Sequence, residues 1–318
     1  MSDDGGLVVK SMYDLRDEYA ELMRKYDENT VDLSHWLPWF KGRCRPILPG
    51  ELVVIMADTG VGKTAIVGNI AKALAPMTIL QFHLELPGSL VFERAAARGN
   101  KMSAWEIENH FRAGHQLVSM AGIDHVYVVD KSRLTAEQMQ TAILSLHTSH
   151  KLGETPTVAM VDYIGLMQSS SGRSRYEKVS AAAEDLKVMA KETNTVVIVA
   201  TQIHRKPEDE GGQVGLHDAK DSGSIEASAD LLIGAWREAD TKEIINLRIL
   251  KNRKGPAGEQ TQARFNLETM TISPIVPDAM IGVSTEQDDA AERYAMQQEP
   301  TSADPCKGCH TIGCSECE

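Results

Sequence analysis

Residues 51–64 read ELVVIMADTGVGKT, an apolar run followed by a glycine-punctuated turn, and TAIVGNIAKALA continues with helical spacing. A buried strand, a tight loop and a helix in direct succession constrain a fold more than any other feature of this chain. A loop of this kind must turn its backbone N–H groups inward around an anion, which favours glycine, and Gly60 and Gly62 supply it. The helix that follows presents unpaired amides and the positive end of its dipole to the same anion. In the pattern G-x-x-x-x-G-K-[ST], the lysine reaches the β- and γ-phosphates and the hydroxyl ligates Mg²⁺. Asp58, Thr59, Gly60, Val61, Gly62, Lys63 and Thr64 are therefore the expected cradle for ATP and its Mg²⁺. The first position of the pattern is Ala57, a small residue that serves if its backbone stays out of the φ > 0 region.

Past this loop, strands and helices alternate. Apolar runs at 78–86, 125–130, 157–167 and 195–203 read as strands, and 64–75, 88–98, 103–120, 135–150 and 176–193 as helices. LLIGAWRE (231–238), INLRILKNR (245–253) and ARFNLET (263–269) read as further strands joined by turns. Strands that are apolar throughout and separated by helices predict a mostly parallel sheet covered on both faces, an α/β fold. The expected organisation is a start and docking helix over 1–31, one α/β domain over 32–275, and a flexible acidic tail over 276–318.

Three polar residues end apolar strands on the side where ligands bind in such sheets. Asp162 ends VAMVD and is the expected second carboxylate for the Mg²⁺ water shell. Glu85 follows TILQFHL and could orient a water. Gln202 ends VVIVATQ and could sense the γ-phosphate. The alternative for each is an ordinary strand-end cap.

With these in order, the chain resembles the RecA-like ATPase core, and more closely the C-terminal motor domain of DnaB-type replicative helicases. ADTGVGKTAIVGNIA, FHLELP, VDYIGLMQ, ATQIHR, DAKDSGSIEASADLLIGAWRE and LRILKNRKGPAGEQTQARFN carry the resemblance, over about 32–270. DSGSIEASAD and KNRKGPAG are the specific pieces, because a generic P-loop enzyme has no need of them. The family tolerates alanine at the first loop position. The resemblance implies an ATP-driven helicase in a homo-hexameric or similar ring, with ATP between neighbours. It implies Glu85 as the catalytic base, and Lys251 and Arg253 as cations acting on the neighbouring site, Arg253 as the arginine finger. From the residues alone, Lys251, Arg253 and Lys254 form a basic cluster beside a Gly-Pro turn, equally a solvated hairpin tip.

Two polar stretches should face single-stranded DNA in the central channel. One follows Asp162 and carries Arg173, Arg175 and Lys178. The other follows Gln202 and carries His204, Arg205 and Lys206. Backbone contacts to a single strand need cations rather than base-reading groups. Plain solvated loops are the other reading. The net charge of −12 excludes a protein coated in basic residues but not one that concentrates positive charge in a ring or cleft. Most of the acidity is local, since nine acidic and two basic residues fall between Pro277 and Glu318.

Residues 10–28 place Met12, Leu15, Tyr19, Leu22, Met23 and Tyr26 on one helical stripe, to be buried either on its own domain or on a neighbouring subunit. Members of the family carry a helical N-terminal domain before the motor, whereas about 30 residues precede it here. Contact with primase, a polymerase or a loader is therefore expected only through the termini. Cys306, Cys309, Cys314 and Cys317 have the spacing C-x2-C-x4-C-x2-C, which reads as a zinc knuckle or as free thiols on the tail. No run of about 18 apolar residues and no secretory signal is present, which points to a cytoplasmic protein without membrane contact. A RecA- or KaiC-like single-strand-binding ATPase that does not unwind, and a non-motor loader or adaptor, are the competing functions.

Overall fold

The computed structural model describes residues 9–115, 119–148, 156–169, 174–203, 214–215, 223–238 and 240–275. The chain opens with α1 (Met12–Arg24), started by a capping box in which Ser11 accepts from the Asp14 N–H and Asp14 accepts from the Ser11 N–H. A short α2 (Tyr26–Asn29) follows. No residue of α1 is buried, and Met12 and Tyr19 are 79% and 61% exposed. The first part of the stripe, Met12, Leu15 and Tyr19, is thus exposed, whereas Leu22, Met23 and Tyr26 are half-buried. Two 3-10 turns, Leu33–His35 and Pro38–Phe40, then set Trp36, Leu37 and Phe40 into the core.

The sheet begins with β1 (Leu52–Ala57), every residue of which is buried. Next come α3 (Lys63–Ala73), β2 (Ile79–His83), α4 (Gly88–Asn100), α5 (Ala104–Arg112), β3 (Val126–Val129), α6 (Ala136–Thr148), β4 (Val158–Asp162), α7 (Arg175–Thr193) and β5 (Val196–Gln202). The last described elements are α8 (Gly223–Ser228), β6 (Leu231–Trp236), β7 (Ile244–Asn252), β8 (Gln260–Asn266) and β9 (Thr271–Pro274). The strands form one sheet in the order β3-β2-β4-β5-β1-β6-β7-β8-β9. The pairs from β3 to β6 are parallel, and β6 to β9 add antiparallel strands.

Alternation along β1 divides the core. Val53, Ile55 and Ala57 face one side, where Ile66 and Ile70 of α3 pack. Leu52, Val54 and Met56 face the other, with Met139 of α6 and Leu186 and Met189 of α7. Both faces of the sheet are therefore covered, as the apolar strands predict.

Five details differ from the sequence reading, the first being that the strand expected over 78–86 stops at His83, which leaves Glu85 on the turn after it. The helix expected over 103–120 ends at Arg112, because Gly114 takes φ 80 and closes it. The strand expected through Met167 stops at Asp162, and Ile164–Leu166 turn as a 3-10 helix. The strand expected at 263–269 runs instead over Gln260–Asn266. Helix α8 and strand β9 add to the expected elements; α8 is short, and Ile272 is the one buried residue of β9.

The starts of β1 and β6 are tied at Asp230. Its carboxylate accepts from the Leu52 N–H (2.8 Å), Lys187 Nζ (2.6 Å) and Arg253 Nη1 (3.0 Å). One side chain thus joins two strands, α7 and the end of β7. Asp230→Ala should lower stability by about 2 kcal/mol, since it strands a buried N–H and loosens a charged pair. The shift in urea midpoint at unchanged slope checks this.

Candidate nucleotide site

β1 delivers the loop at the carboxyl edge of the sheet, with Ala57 still in extended backbone. Gly60 and Gly62 take φ 78 and 113, which side-chain-bearing residues rarely adopt. Gly62 is the N-cap of α3 and offers no side chain to bond its first amides. The first N–H groups of α3 therefore have no side-chain acceptor at the N-cap, as a loop that takes an anion requires. A Cβ on Gly62 would lie 3.1 Å from the Phe265 ring, so the loop turns against a wall that leaves no room for one.

Side chains converge on this loop from three strand ends. Lys63 Nζ donates to the carbonyls of Asp58 (2.9 Å) and Ala57 (3.3 Å). Burial draws its pKa below the ordinary lysine value, opposed by the carboxylates of Asp162, Asp58 and Glu85. The Thr64 hydroxyl donates to the Asp162 carboxylate, whose pKa burial raises and that hydrogen bond, Lys63 and Arg94 lower. Gln202 Nε2 donates to Thr59 Oγ1 at 2.5 Å, joining the end of β5 to the loop. Asp58 Oδ1 accepts from the Thr59 N–H (2.6 Å), and Val61 packs into the core below. Glu85 is exposed on the turn after β2, which the bond from the Leu84 N–H to the Asp162 carbonyl (3.0 Å) holds beside β4.

The donor set suits a hydrated Mg²⁺ and a triphosphate. His83 Nδ1 is buried without a partner and lies 3.8 Å from Asp162 Oδ2. Burial, with Arg94 and Arg98 nearby, pushes the His83 pKa down to about 4, so the ring is neutral at pH 7. A neutral ring nitrogen and a carboxylate at that separation are the partners a metal-bound water would bridge.

Two groups at this loop escaped the sequence reading. Arg237, just after β6, donates from Nη2 to the Gly60 carbonyl and from Nη1 to the Lys242 carbonyl (2.8 Å). Its guanidinium lies 5.3 Å from the centroid of the Phe265 ring. For Arg237 the signal was the one used for Gln202, a polar residue after a buried strand. Phe265 carried none, because its approach depends on how β8 folds back.

Lys251 and Arg253 lie elsewhere. Leu231 pairs with both Val53 and Asn252, so the end of β7 sits at the start of β1, about 20 Å from the loop by strand rise. Lys251 Nζ donates to the Glu226 carbonyl, and Arg253 Nη2 to the Ala227 carbonyl at 2.8 Å. Lys178 is exposed in the first turn of α7. The side chain of Arg175 lies outside the described residues, as do Arg173, His204, Arg205, Lys206, Cys306, Cys309, Cys314 and Cys317. Among the described residues no group of three His, Cys, Asp or Glu side chains could hold a metal by itself. Among them, too, no helix is long and apolar enough to cross a membrane.

A mostly parallel sheet with the loop, second carboxylate and strand-end glutamine on one edge defines the fold class of RecA-like P-loop proteins. The DnaB-like helicase C terminal domain matches residues 44–273, and the chain belongs to that family. It is 29% identical over 250 residues to the replicative DNA helicase DnaB of Mycoplasma genitalium, covering 71% of this chain and 52% of that one. It is 28% identical over 227 residues to DnaB of Geobacillus stearothermophilus, covering 65% and 49%. The chain therefore spans about half the length of these curated relatives. Among solved structures it resembles an ATPase domain, with a TM-score of 0.70 at 21% identity over 85% of this chain and 100% of that one. It also resembles a DnaB-like replicative helicase described with its interactions with primase, with a TM-score of 0.69 at 22% identity over 85% and 68%.

Gly62→Ala should weaken binding of a fluorescent ATP analogue by at least about tenfold, because the loop must abandon its left-handed turn and Phe265 must yield. An equilibrium titration, with a melting curve to exclude unfolding, measures it.

Proposed function

We propose that this chain is an ATP-driven, ring-forming DNA helicase motor that moves on single-stranded DNA and unwinds duplex during replication. The observation that carries this reading is the division of charged groups between two sheet edges. Lys63, Thr64, Asp162 and Gln202 gather at one edge, while Lys251 and Arg253 wait at the other. Such a chain holds two half-sites, and a neighbour in a ring brings them together.

ATP, when bound, supplies a γ-phosphoryl group whose transfer to water leaves ADP and phosphate. Gly60 and Gly62 open the loop's amides, and Lys63 leaves its two carbonyls to hold the phosphates. Thr64 and Asp162 would hold a Mg²⁺ and its waters, which would offset charge on the phosphoryl group. Glu85 accepts the proton of the attacking water, and its exposure leaves it reachable. Gln202 is bonded to Thr59 and couples the loop to the chain after β5. Arg237, its guanidinium backed by the buried Phe265 ring, offers a flat cation beside the loop, suited to a base. Arg253, with Lys251 beside it, stabilises charge on the neighbour's transferring phosphoryl group.

The exposed Met12, Leu15 and Tyr19 of α1 support its docking on the next subunit, with a motor domain over 32–275. Lys178, with the cations after β4 and β5, contacts the DNA backbone and makes binding depend on salt. Primase, a polymerase or a loader would be reached through the termini. The setting is the cytoplasm. The four tail cysteines remain a zinc proposal.

Lys63→Ala and Arg253→Ala should each lower ATP hydrolysis by about a thousandfold, the scale of a lost phosphate clamp or arginine finger. Mixed together, the two inactive chains should recover measurable ATPase, because some interfaces then pair an intact loop with an intact finger. No recovery on mixing would sink the trans arrangement. The unmodified protein should unwind a forked duplex; ATPase stimulated by single strands without unwinding would favour the RecA- or KaiC-like alternative.

A further inference from the structure

Beside the nucleotide site, between α3, α4, β2, β3 and the turn at 120–123, lies a cavity of about 370 Å³. Val91, Ile123 and Val126 give it apolar walls. Thr64 is the one residue of the phosphate loop that lines it. Its volume is in the range of small-molecule sites.

Two arginines of α4 reach this space. Arg98 is only 7% exposed, yet its guanidinium has no hydrogen-bond acceptor or ion-pair partner among the described residues. The side chain has room because residue 68 is glycine: a Cβ there would lie 2.2 Å from Arg98 Nη2. Arg94, half-buried and also without an acceptor among the described residues, lines the same cavity. Burial, with Arg94 beside it, draws the Arg98 pKa down to about 10, so it stays cationic at pH 7. His83, with its orphaned Nδ1, lines the wall between the cavity and Asp162.

Nearby carboxylates are already engaged. Asp130 accepts from the Gly88 N–H at the rim (2.7 Å), and Asp162 accepts from Thr64. Neither forms an ion pair with Arg94 or Arg98. The Arg98 nitrogens open onto the cavity, where water or a ligand must satisfy them, and a charge facing apolar walls without a counter-ion is costly. A guanidinium with five donors and no acceptor, facing an apolar cavity, asks for a planar anion.

We propose that this cavity binds a small organic anion, a carboxylate or phosphate on an apolar planar body, whose charged end is gripped by Arg98 and Arg94. The site adjoins the metal end of the nucleotide site through Thr64 and His83, but it does not use the loop's amides or Lys63. An occupant would therefore sit beside the nucleotide rather than in its place.

The test is isothermal titration calorimetry on the full chain with 2-naphthoate, 2-naphthyl phosphate, neutral 2-naphthamide and inorganic phosphate. Both aromatic anions should bind saturably at one per chain, and the amide and inorganic phosphate at least about tenfold more weakly. Which of the two aromatic anions binds tighter tells carboxylate from phosphate. Lys63→Ala should leave naphthoate binding unchanged, which separates this site from the phosphate loop. Arg98→Met should cost at least about tenfold in affinity for both anions at a near-native melting temperature. Ala95→Trp, which fills the cavity from α4, should abolish binding and serves if Arg98→Met does not fold. The proposal is overturned if no saturable binding occurs, or if the amide or inorganic phosphate binds as well as the anions. It is overturned equally if Ala95→Trp or Arg98→Met binds like the unmodified chain, or if Lys63→Ala alone removes binding.

Discussion

Everything in this fold hangs from β1, a strand paired on both edges and buried on both faces. Its six residues carry no freedom to spare, because a one-residue shift in register would move every side chain from one packed core to the other. The phosphate loop is the continuation of that strand. A loop whose amides must surround an anion needs an anchor that does not move, and β1 supplies it. Asp230 fixes the other end, so the strand is held at its start by a charged cluster and along its length by packing.

The same logic explains which parts were legible in the sequence. LVVIMA, VAMVD and VVIVATQ are apolar without alternation, and only a strand buried on both faces requires that. The polar residue that ends each such run falls on the ligand edge, which is why Asp162 and Gln202 could be placed by inspection. Glu85 followed from the same rule one residue past its apolar run. What could not be read depends on chain reversal. Phe265 reaches Gly62 only because β6, β7 and β8 fold antiparallel across the edge of the parallel sheet, and no local pattern encodes that approach. The 3-10 turn after Asp162 hid for a different reason. IGL is as apolar as the strand before it, so composition did not mark the break.

Charge placement divides the molecule in a way that hydropathy does not. Carboxylates meet Lys63 at the carboxyl edge, whereas Lys251 and Arg253 are held by carbonyls near the end of α8 and by Asp230 at the opposite edge. The α4 arginines form a third group against the outer strands, Arg98 buried and Arg94 half-buried, without an acceptor among the described residues. Backbone geometry helps to place each set, with counter-ions beside it in the first two. Gly68 shows this most simply: one absent methyl decides where the Arg98 guanidinium can lie.

The distance between Lys63 and Arg253 turns geometry into stoichiometry. No bending of one chain brings the two ends of β1 together. On the proposed reading, a solitary chain has a loop that its own Arg253 does not reach and an Arg253 that serves no loop. An open row of such chains always leaves one of each idle at its ends, so its complete sites number one fewer than its subunits. Only a closed circle makes the two numbers equal. With Arg253 serving its neighbour, turnover per chain would rise with concentration until circles close, and would then stay level.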